Sequence, residues 1–318
     1  MRCLYCYKNL EPGQTDFHPA CSRTMFGNPQ PPLLPYTEEQ MLELAEKVIK
    51  SQIAVTGVQP KLSLDIEKTF KGESETKPLQ RFTIVGLWGG YILKPATKNY
   101  PHLPELEDLT MHLAQLSGIA TVPHSLIRLK NGSLAYITKR IDRVKKTKLH
   151  IEDMCQLTER MTEDKYKGSY EQIAKTILKY SANPGLDLVN FFEQLIFSFL
   201  TGNADMHLKN FSLINQPQTG YVLAPAYDMV ASALIVKGDT EELALNLNGK
   251  KRKLLREDFD AVLSSFRILD KRAIENLYQK FSASIEKWIQ FIPQSFLPDL
   301  LKDEYKTLIK ERAARLHL

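Results

Sequence analysis

The sequence lacks the features that would place it among exported, membrane or strongly basic proteins. No run of about 18 apolar residues occurs, so the sequence predicts no membrane-spanning segment. The first residues contain no apolar stretch of signal-peptide length, and we therefore expect a cytoplasmic protein. The 42 basic and 37 acidic residues leave a net charge of only +5, which does not indicate a nucleic-acid-binding protein.

The remaining composition is that of an ordinary globular protein. The 318 residues are 43% hydrophobic and 25% charged, and the length suits two domains of about 100–200 residues each. We predict three regions: a Cys-rich segment with a Pro-rich linker over 1–35, a β-rich lobe over 36–150 and a mostly helical lobe over 151–318. Because neither lobe alternates strands with helices, the predicted fold class is α+β and not a doubly wound sheet.

Hydrophobic periodicity and turn residues predict the main elements. The capping-box pattern of Thr37 and Gln40 predicts the start of a helix that runs to about residue 51. Further predicted helices cover 103–116, 187–200 and most of 257–315. Predicted strands lie at 62–66, 81–85, 91–94, 125–129 and 134–138, followed by a hairpin at 211–214 and 221–223.

Cysteine is scarce, but three of the four cysteines lie within the first 21 residues. Cys3, Cys6, His18 and Cys21 form two close pairs separated by a loop, in the pattern C-x2-C-x11-H-x2-C. This spacing can present four ligands to a tetrahedral ion, and a cytosolic environment would keep the thiols reduced. The pattern indicates a structural Zn²⁺ site, with metal-free packing on the rest of the chain as the alternative.

A group of polar residues follows the predicted helix 187–200. Asp205 and Asn210 have the D-x-x-x-x-N spacing, in which the Asp accepts a proton from an attacking hydroxyl and the Asn binds a metal on nucleotide phosphates. Asp228 follows the predicted hairpin and could bind the same Mg²⁺, which prefers oxygen ligands. A chain of this size contains about one such spacing by chance. The order along the chain, with Asp205 and Asn210 before the hairpin and Asp228 after it, is therefore more informative than the spacing.

The β-rich lobe contains residues that complement this group. The segment Thr56-Gly57-Val58-Gln59-Pro60-Lys61 joins a predicted helix to a strand, and its glycine could bring backbone N–H groups toward phosphates. Lys94 ends a predicted strand, and Glu107 lies in the predicted helix 103–116, from which it could pair with Lys94. The alternative is that Lys94 and Glu107 are a solvated surface pair.

Five ordered motifs together resemble the HipA family, the serine/threonine kinase toxins of bacterial toxin–antitoxin systems. The motifs are the segment 56–61, Tyr91-Ile92-Leu93-Lys94-Pro95, Glu152-Asp153-Met154-Cys155-Gln156, Asp205-x-His207-x-Lys209-Asn210-Phe211-Ser212 and Tyr227-Asp228. The resemblance covers about residues 50–300. It implies a two-lobed kinase fold related to the phosphoinositide kinases, with a β-rich N-lobe and a mostly helical C-lobe.

The resemblance also implies ATP and Mg²⁺ as cofactors and a role for each motif. The segment 56–61 would be the phosphate loop, Lys94 would contact the phosphates, and Asp205 would be the catalytic base. The adenine hinge would be formed by Lys139, Arg140 and Ile141. The nucleotide and Mg²⁺ would be bound by His207, Lys209, Asn210, Tyr227 and Asp228.

Two departures from the family pattern bear on partners and control. Full-length members have about a hundred residues before the phosphate loop, which the first 50 residues cannot hold. The chain therefore resembles the shorter HipT type, which implies a separate small HipS-like protein and a HipB-like DNA-binding antitoxin as partners. The position of the family's autophosphorylated serine is occupied by Ala54, which leaves Ser51 and Thr56 as the nearby hydroxyls.

These observations favour a serine/threonine protein kinase that inactivates a component of the translation machinery, such as an aminoacyl-tRNA synthetase. One alternative is a small-molecule phosphotransferase of the aminoglycoside-kinase type, which uses Asp and Asn residues in the same roles of base and metal ligand. A second alternative, from a different class, is a non-catalytic module that binds nucleotide or nucleic acid, with the Cys-rich segment as its tether.

Overall fold

A computed structural model describes residues 1–41, 43–44, 61–69, 79–85, 89–144, 147–236 and 238–318. These residues form two compact units. Unit 1 comprises Met1–Asp108 and Val122–Ile141, and unit 2 comprises Leu109–Thr121 and Asp142–Leu318. Within the described part of the chain, no helix has the length and apolar character needed to cross a lipid bilayer.

Unit 1 is built on a sheet of five strands. These are β1 (Leu62–Thr69), β2 (Leu79–Ile84), β3 (Tyr91–Pro95), β4 (His124–Arg128) and β5 (Leu134–Lys139). Their order is β2-β1-β3-β5-β4, and every neighbouring pair is antiparallel. Along β1, Leu62 and Leu64 are buried, whereas Ser63 and Asp65 are not, which is the alternation of a strand with one face on a core.

The N-terminal segment supplies part of the core of unit 1. Helix α1 (Pro19–Phe26) begins with a proline at its first position and ends at Gly27, which has a φ of +75°. The ring of Phe26 contacts Phe82 edge-on, with centroids 5.8 Å apart, and Phe82 contacts Tyr91 at 5.4 Å. These aromatic contacts fix α1 against β2 and β3.

Helix α2 (Leu103–Leu116) follows β3 in the chain. Its residues up to Asp108 belong to unit 1, and those from Leu109 onward belong to unit 2. Within unit 2, the indole N–H of Trp288 donates to the carbonyl of Leu113 at 3.0 Å.

Unit 2 is mostly helical and contains two small sheets. Its helices are α3 (Met154–Leu157), α4 (Tyr170–Tyr180), α5 (Pro184–Leu200), α6 (Arg256–Ser265), α7 (Lys271–Phe291) and α8 (Asp299–Arg315). Its strands are β6 (Arg143–Val144), β7 (Thr147–Lys148), β8 (Ile151–Asp153), β9 (Ser212–Gln216) and β10 (Gly220–Leu223). Strands β6 and β7 pair with each other, and the other sheet has the order β10-β9-β8. The apolar helix α5 is buried along most of its length.

Most of the predicted elements are confirmed within a few residues. The predicted helix 103–116 is α2, the helix 187–200 is the main part of α5, and the hairpin after it is formed by β9 and β10. The side chains of Thr37 and Gln40 form the predicted capping box. The remainder of the helix predicted to run to residue 51 lies mostly outside the described residues. The sequence patterns predicted neither α1 nor β8.

Candidate functional site

In unit 1, Lys94 and Glu107 form a buried ion pair. Nζ of Lys94 on β3 lies 2.5 Å from Oε1 of Glu107 on α2, and the two side chains are 4% and 2% exposed. The ammonium of Lys94 also lies over the ring of Tyr136, 5.4 Å from its centroid. The pair is therefore not a solvated surface pair. Because burying two charges carries a desolvation cost that a surface pair avoids, the position is a candidate for function.

The other residues predicted in unit 1 are only partly described. The predicted phosphate loop, from Thr56 to Pro60, lies outside the described residues, and Lys61 is exposed directly before β1. Lys139 ends β5, and Arg140 and Ile141 follow it at the end of unit 1. The N–H of Arg140 donates to the carbonyl of Gly90 at 2.9 Å, which continues the pairing beyond the sheet. The hinge and phosphate-loop roles stay predictions.

In unit 2, one compact turn after α5 carries both Asp205 and Asn210. Gly202 begins this turn with a φ of +69°, and a Cβ at that position would lie 2.7 Å from a methyl carbon of Leu308. The backbone N–H of Asp205 donates to Oδ1 of Asn203 at 3.2 Å, and Nδ2 of Asn210 donates to the carbonyl of Asp205 at 2.9 Å. These bonds hold the predicted base and the predicted metal ligand in a fixed relation.

The carboxylate of Asp205 already accepts a hydrogen bond from a hydroxyl group. The phenol of Tyr166, which is 43% exposed, donates to Oδ1 of Asp205 at 2.7 Å. Burial and this bond to Asp205 raise the pKa of Tyr166, so the phenol stays protonated and donates. Tyr166 carries no sequence signal that would mark it, and it was not predicted. The geometry shows that a hydroxyl donor can reach the oxygen expected to accept a substrate proton.

His207 is a buried imidazole beside Asp205. Its ring meets the ring of Tyr166 edge-on, with the two centroids 5.0 Å apart. Burial lowers the pKa of His207 to about 4, and the nearby charge of Asp205 only partly opposes that effect. Its Nδ1 is buried without a hydrogen-bond partner among the described residues. The ring is therefore neutral at pH 7.

Lys209 is held by Asp153, which belongs to one of the sequence motifs but was not predicted to be a site residue. Its Nζ lies 2.6 Å from Oδ2 of Asp153, at the end of β8. Asp153 is also the N-cap of α3, where it accepts from the N–H of Gln156 at 3.0 Å while Oε1 of Gln156 accepts from the N–H of Asp153. The D-x-x-Q capping pattern was the signal available for Asp153. The cap fixes the carboxylate that receives Lys209.

Tyr227 and Asp228 are the remaining predicted site residues in unit 2. The hydroxyl of Tyr227 donates to the carbonyl of Lys209 at 3.0 Å and lies 2.5 Å from Oγ of Ser212. Asp228 has a φ of +60°, a region that Asp tolerates better than most residues and that is enriched at functional sites. After burial and the hydrogen bond to Asp205, the charges of Asp205 and Asp228 also raise the pKa of Tyr166, so both carboxylates lie near this phenol.

The donor set of this region fits Mg²⁺. Because Nδ2 of Asn210 donates to the backbone of Asp205, Oδ1 is the amide atom that can face a cation. A carboxylate from Asp228 adds a second hard oxygen ligand, and Mg²⁺ usually takes one or two protein oxygens together with phosphate and water.

The four predicted zinc ligands also come together, in unit 1. The ligand atoms of Cys3, Cys6, His18 and Cys21 all lie within 4.8 Å of one another. All four cysteines of the chain are free thiols, so no disulfide accounts for the cluster.

A sequence model of the HipA-like C-terminal domain matches residues 53–289. The chain belongs to this family. Two relatives carry the name "Putative kinase": one from Haemophilus influenzae is 29% identical over 90% of this chain and 88% of its own length, and Y4dM of Sinorhizobium fredii is 28% identical over 83% and 63%. The serine/threonine-protein kinase toxin HipA of Shewanella oneidensis is 28% identical over 57% of this chain and 44% of its own length. The chain thus spans less than two thirds of Y4dM and of that HipA.

Two solved structures resemble the fold. The Shewanella oneidensis HipA, in a complex with HipB and operator DNA, matches with a TM-score of 0.67 at 21% identity, over 96% of this chain and 79% of that chain. The Helicobacter pylori kinase CtkA matches with a TM-score of 0.54 at 16% identity, over 80% of this chain and 93% of that chain. At these identities the similarity establishes the fold, which confirms the predicted α+β, kinase-like class.

Proposed function

We propose that this HipA-family chain is an ATP-dependent serine/threonine kinase that modifies a protein of the translation machinery. The observation that carries the proposal is the turn of unit 2 in which a hydroxyl already donates to Asp205 while the amide of Asn210 is fixed by the same residue. The kinase names of several relatives support this interpretation.

Each predicted site residue of the two units has one proposed task. Asp205 orients the hydroxyl of the protein substrate and accepts its proton. Lys94 contacts the phosphates of ATP, and Glu107 holds the ammonium in place. Asn210 and Asp228 hold Mg²⁺, which when bound neutralises charge on the phosphates. Lys209, restrained by Asp153, contributes a further positive charge beside the catalytic turn.

The remaining predicted nucleotide contacts belong to the same proposal. We assign the phosphate loop to the segment 56–61, the adenine hinge to residues 139–141, and supporting nucleotide contacts to His207 and Tyr227. The neutral imidazole of His207 lies beside Asp205 and adds no positive charge to the proposed nucleotide site.

The partners follow from the HipT-type organisation that the sequence resembles. We propose two partners: a small HipS-like protein, and a HipB-like antitoxin through which the complex reaches DNA. The similarity to a HipA that was solved together with HipB and its operator DNA supports the second partner.

The decisive experiment compares the chain with its Asp205→Asn variant. Cell lysate is incubated with protein and Mg·ATP that carries a labelled γ-phosphate, and phosphopeptides are identified by mass spectrometry. We expect one dominant phosphoserine or phosphothreonine peptide with the unchanged chain and none with Asp205→Asn, while nucleotide affinity stays nearly the same.

Other outcomes of this experiment identify the alternatives. Label on small molecules instead of peptides would identify a small-molecule phosphotransferase. An absence of products together with no thermal stabilisation by Mg·ATP would identify a non-catalytic module. Wild-type turnover by Asp205→Asn would remove Asp205 from the role of base.

A further inference from the structure

The first ten residues fold into a tight turn that directs two thiols to one side. Arg2 pairs with Asn9 as an isolated antiparallel bridge. The N–H of Cys3 donates to the carbonyl of Lys8 at 2.9 Å, and the N–H of Tyr7 donates to the carbonyl of Cys3 at 3.0 Å. The second pair of ligands comes from the start of α1, where His18 is the N-cap and its side chain makes no capping bond.

The distances in the cluster match those that a tetrahedral ion imposes. Sγ of Cys6 and Sγ of Cys21 lie 3.4 and 3.7 Å from the same atom, Nδ1 of His18. With Zn–S bonds of about 2.3 Å and Zn–N bonds of about 2.0 Å at a tetrahedral angle, a sulfur and a nitrogen would lie about 3.5 Å apart. A single Nδ1 lone pair cannot accept from both thiols with good alignment, whereas one cation between them satisfies all three atoms.

The imidazole is already oriented for metal binding. Nε2 of His18 lies 3.0 Å from the backbone carbonyl of Asn9, which can only accept, so Nε2 carries the proton. That leaves the lone pair of Nδ1 directed at the sulfur atoms. A backbone carbonyl that fixes the tautomer of a ligating histidine is a regular feature of metal sites.

A strained residue next to this cluster connects it to helix α2. Tyr7 has a φ of +62°, which is a conformational outlier for a bulky side chain, and the side chain is buried. Its phenol donates to Oδ2 of Asp108 at 2.7 Å, and burial and the Asp108 charge hold the pKa of Tyr7 well above its usual value. The other oxygen of Asp108 lies 2.7 Å from Nδ1 of His124 on β4.

We propose that Cys3, Cys6, His18 and Cys21 bind one structural Zn²⁺, and that the zinc-bound turn braces α2 through Tyr7. The metal holds the turn in which Tyr7 adopts its positive φ, and the phenol then fixes Asp108. Asp108 is the neighbour in sequence of Glu107, so the brace ends beside the buried ion pair with Lys94. The zinc site and the brace stand without the proposed function. Only the idea that this brace assists phosphoryl transfer rests on the proposed function.

Metal content tests the site directly. Protein purified from zinc-supplemented medium without chelator should hold about one zinc per chain, and Cys6→Ser and Cys21→Ser should each lose most of it. Cys155→Ser is the matched control, because Cys155 is the one cysteine outside the cluster, and it should keep the metal. Replacement by Co²⁺ in the unchanged chain should give the absorption of a tetrahedral thiolate site. Wild-type protein with little zinc and no Co²⁺ spectrum, or with iron in its place, would overturn the assignment.

The Tyr7→Phe variant tests the brace, because it keeps all four ligands and removes only the phenolic hydroxyl. We expect zinc to stay at one equivalent while backbone amide exchange in α2 becomes about tenfold faster, since one buried hydrogen bond to a carboxylate is lost. Exchange in α6, in unit 2, should not change. Unaltered exchange in α2 would show that Tyr7 does not brace the helix, and uniform acceleration would show a general loss of stability instead. Neither result depends on kinase activity.

Discussion

At the scale of single residues, the backbone at Asp228 restricts what can replace its side chain. A φ of +60° is tolerated by Asn and Asp and is costly for most other residues. Asp228→Asn is therefore compatible with this backbone conformation and replaces a charged carboxylate by a neutral amide of the same size. The variant separates metal binding from stability, which an alanine substitution would not do.

We predict that Asp228→Asn weakens Mg·ATP binding by about tenfold or more, because the hard cation loses a charged oxygen. The thermal midpoint of the nucleotide-free protein should stay within about 2 °C of wild type. Calorimetric titration with ATP across a series of Mg²⁺ concentrations measures the effect. An ATP affinity that is unchanged throughout the series would contradict the role of Asp228.

His207 gives a prediction about pH. Its pKa of about 4 in the folded chain is below the unfolded value of about 6.5, so the unfolded chain takes up a proton first as the pH falls. The stabilisation is complete above pH 6.5 and is lost progressively down to about pH 4, by up to about 3 kcal/mol. The His207→Asn variant has no titratable group at this position, so it does not lose this stabilisation as the pH falls. Denaturant unfolding at several pH values should therefore show the variant gaining on wild type below pH 6.5, and a constant difference would refute the prediction.

At the scale of elements, one carboxylate joins β8, α3 and the turn after α5 that carries Asp205 and Asn210. Asp153 caps α3 and also receives Lys209. Asp270 is a matched control, because it caps α7 through the N–H of Ala273 at 2.7 Å and makes no salt bridge within the described residues. Of the two N-caps, Asp153 forms an ion pair and Asp270 forms none within the described residues.

We predict that Asp270→Ala destabilises the protein by about 1 kcal/mol, the usual loss for an N-cap. Asp153→Ala should cost about 2 kcal/mol or more, because Lys209 also loses its charged partner. Chemical denaturation of the two variants measures both values. Equal losses would mean that the Lys209 contact contributes little.

The elements that the sequence predicted well are those with a regular pattern of their own. Helix α2 has a continuous apolar face and a stop at Gly118, and β1 alternates strictly, so both were predicted close to their observed bounds. Helix α1 is short and has no comparable face. Strand β8 has three residues and exists only because it pairs with β9. Elements of that kind depend on distant partners, which a local pattern does not contain.

The same distinction applies to the site. The spacing of Asp205, Asn210 and Asp228 was visible because these residues lie close in sequence. Tyr166 reaches Asp205 across 39 residues, and its contact depends on how α4 and the turn after α5 pack. The burial of Lys94 was also not predictable, because strand position alone does not reveal what covers a side chain.

At the scale of the whole molecule, control of the proposed activity should come from outside the chain. Ala54 cannot be phosphorylated, and a phosphate on Ser51 or Thr56 would add a charge of about −1.5 to −2 near the expected ATP phosphates. We predict that the isolated chain stays fully active and unphosphorylated at both residues after incubation with Mg·ATP, and that a HipS-like partner inhibits it. Intact-mass measurement and peptide mapping test this. Stoichiometric phosphate on Ser51 or Thr56 with loss of ATP binding would show internal control instead.

The burial of Lys94 with Glu107 has a consequence for how the family can diverge. Removing either charge alone would break the buried ion pair, at a typical cost of about 3–5 kcal/mol, whereas replacing both by apolar residues can be nearly neutral. We therefore expect residues 94 and 107 to be either both charged or both apolar in related proteins. Because each single loss carries that cost, selection for stability alone is enough to retain the two charges together.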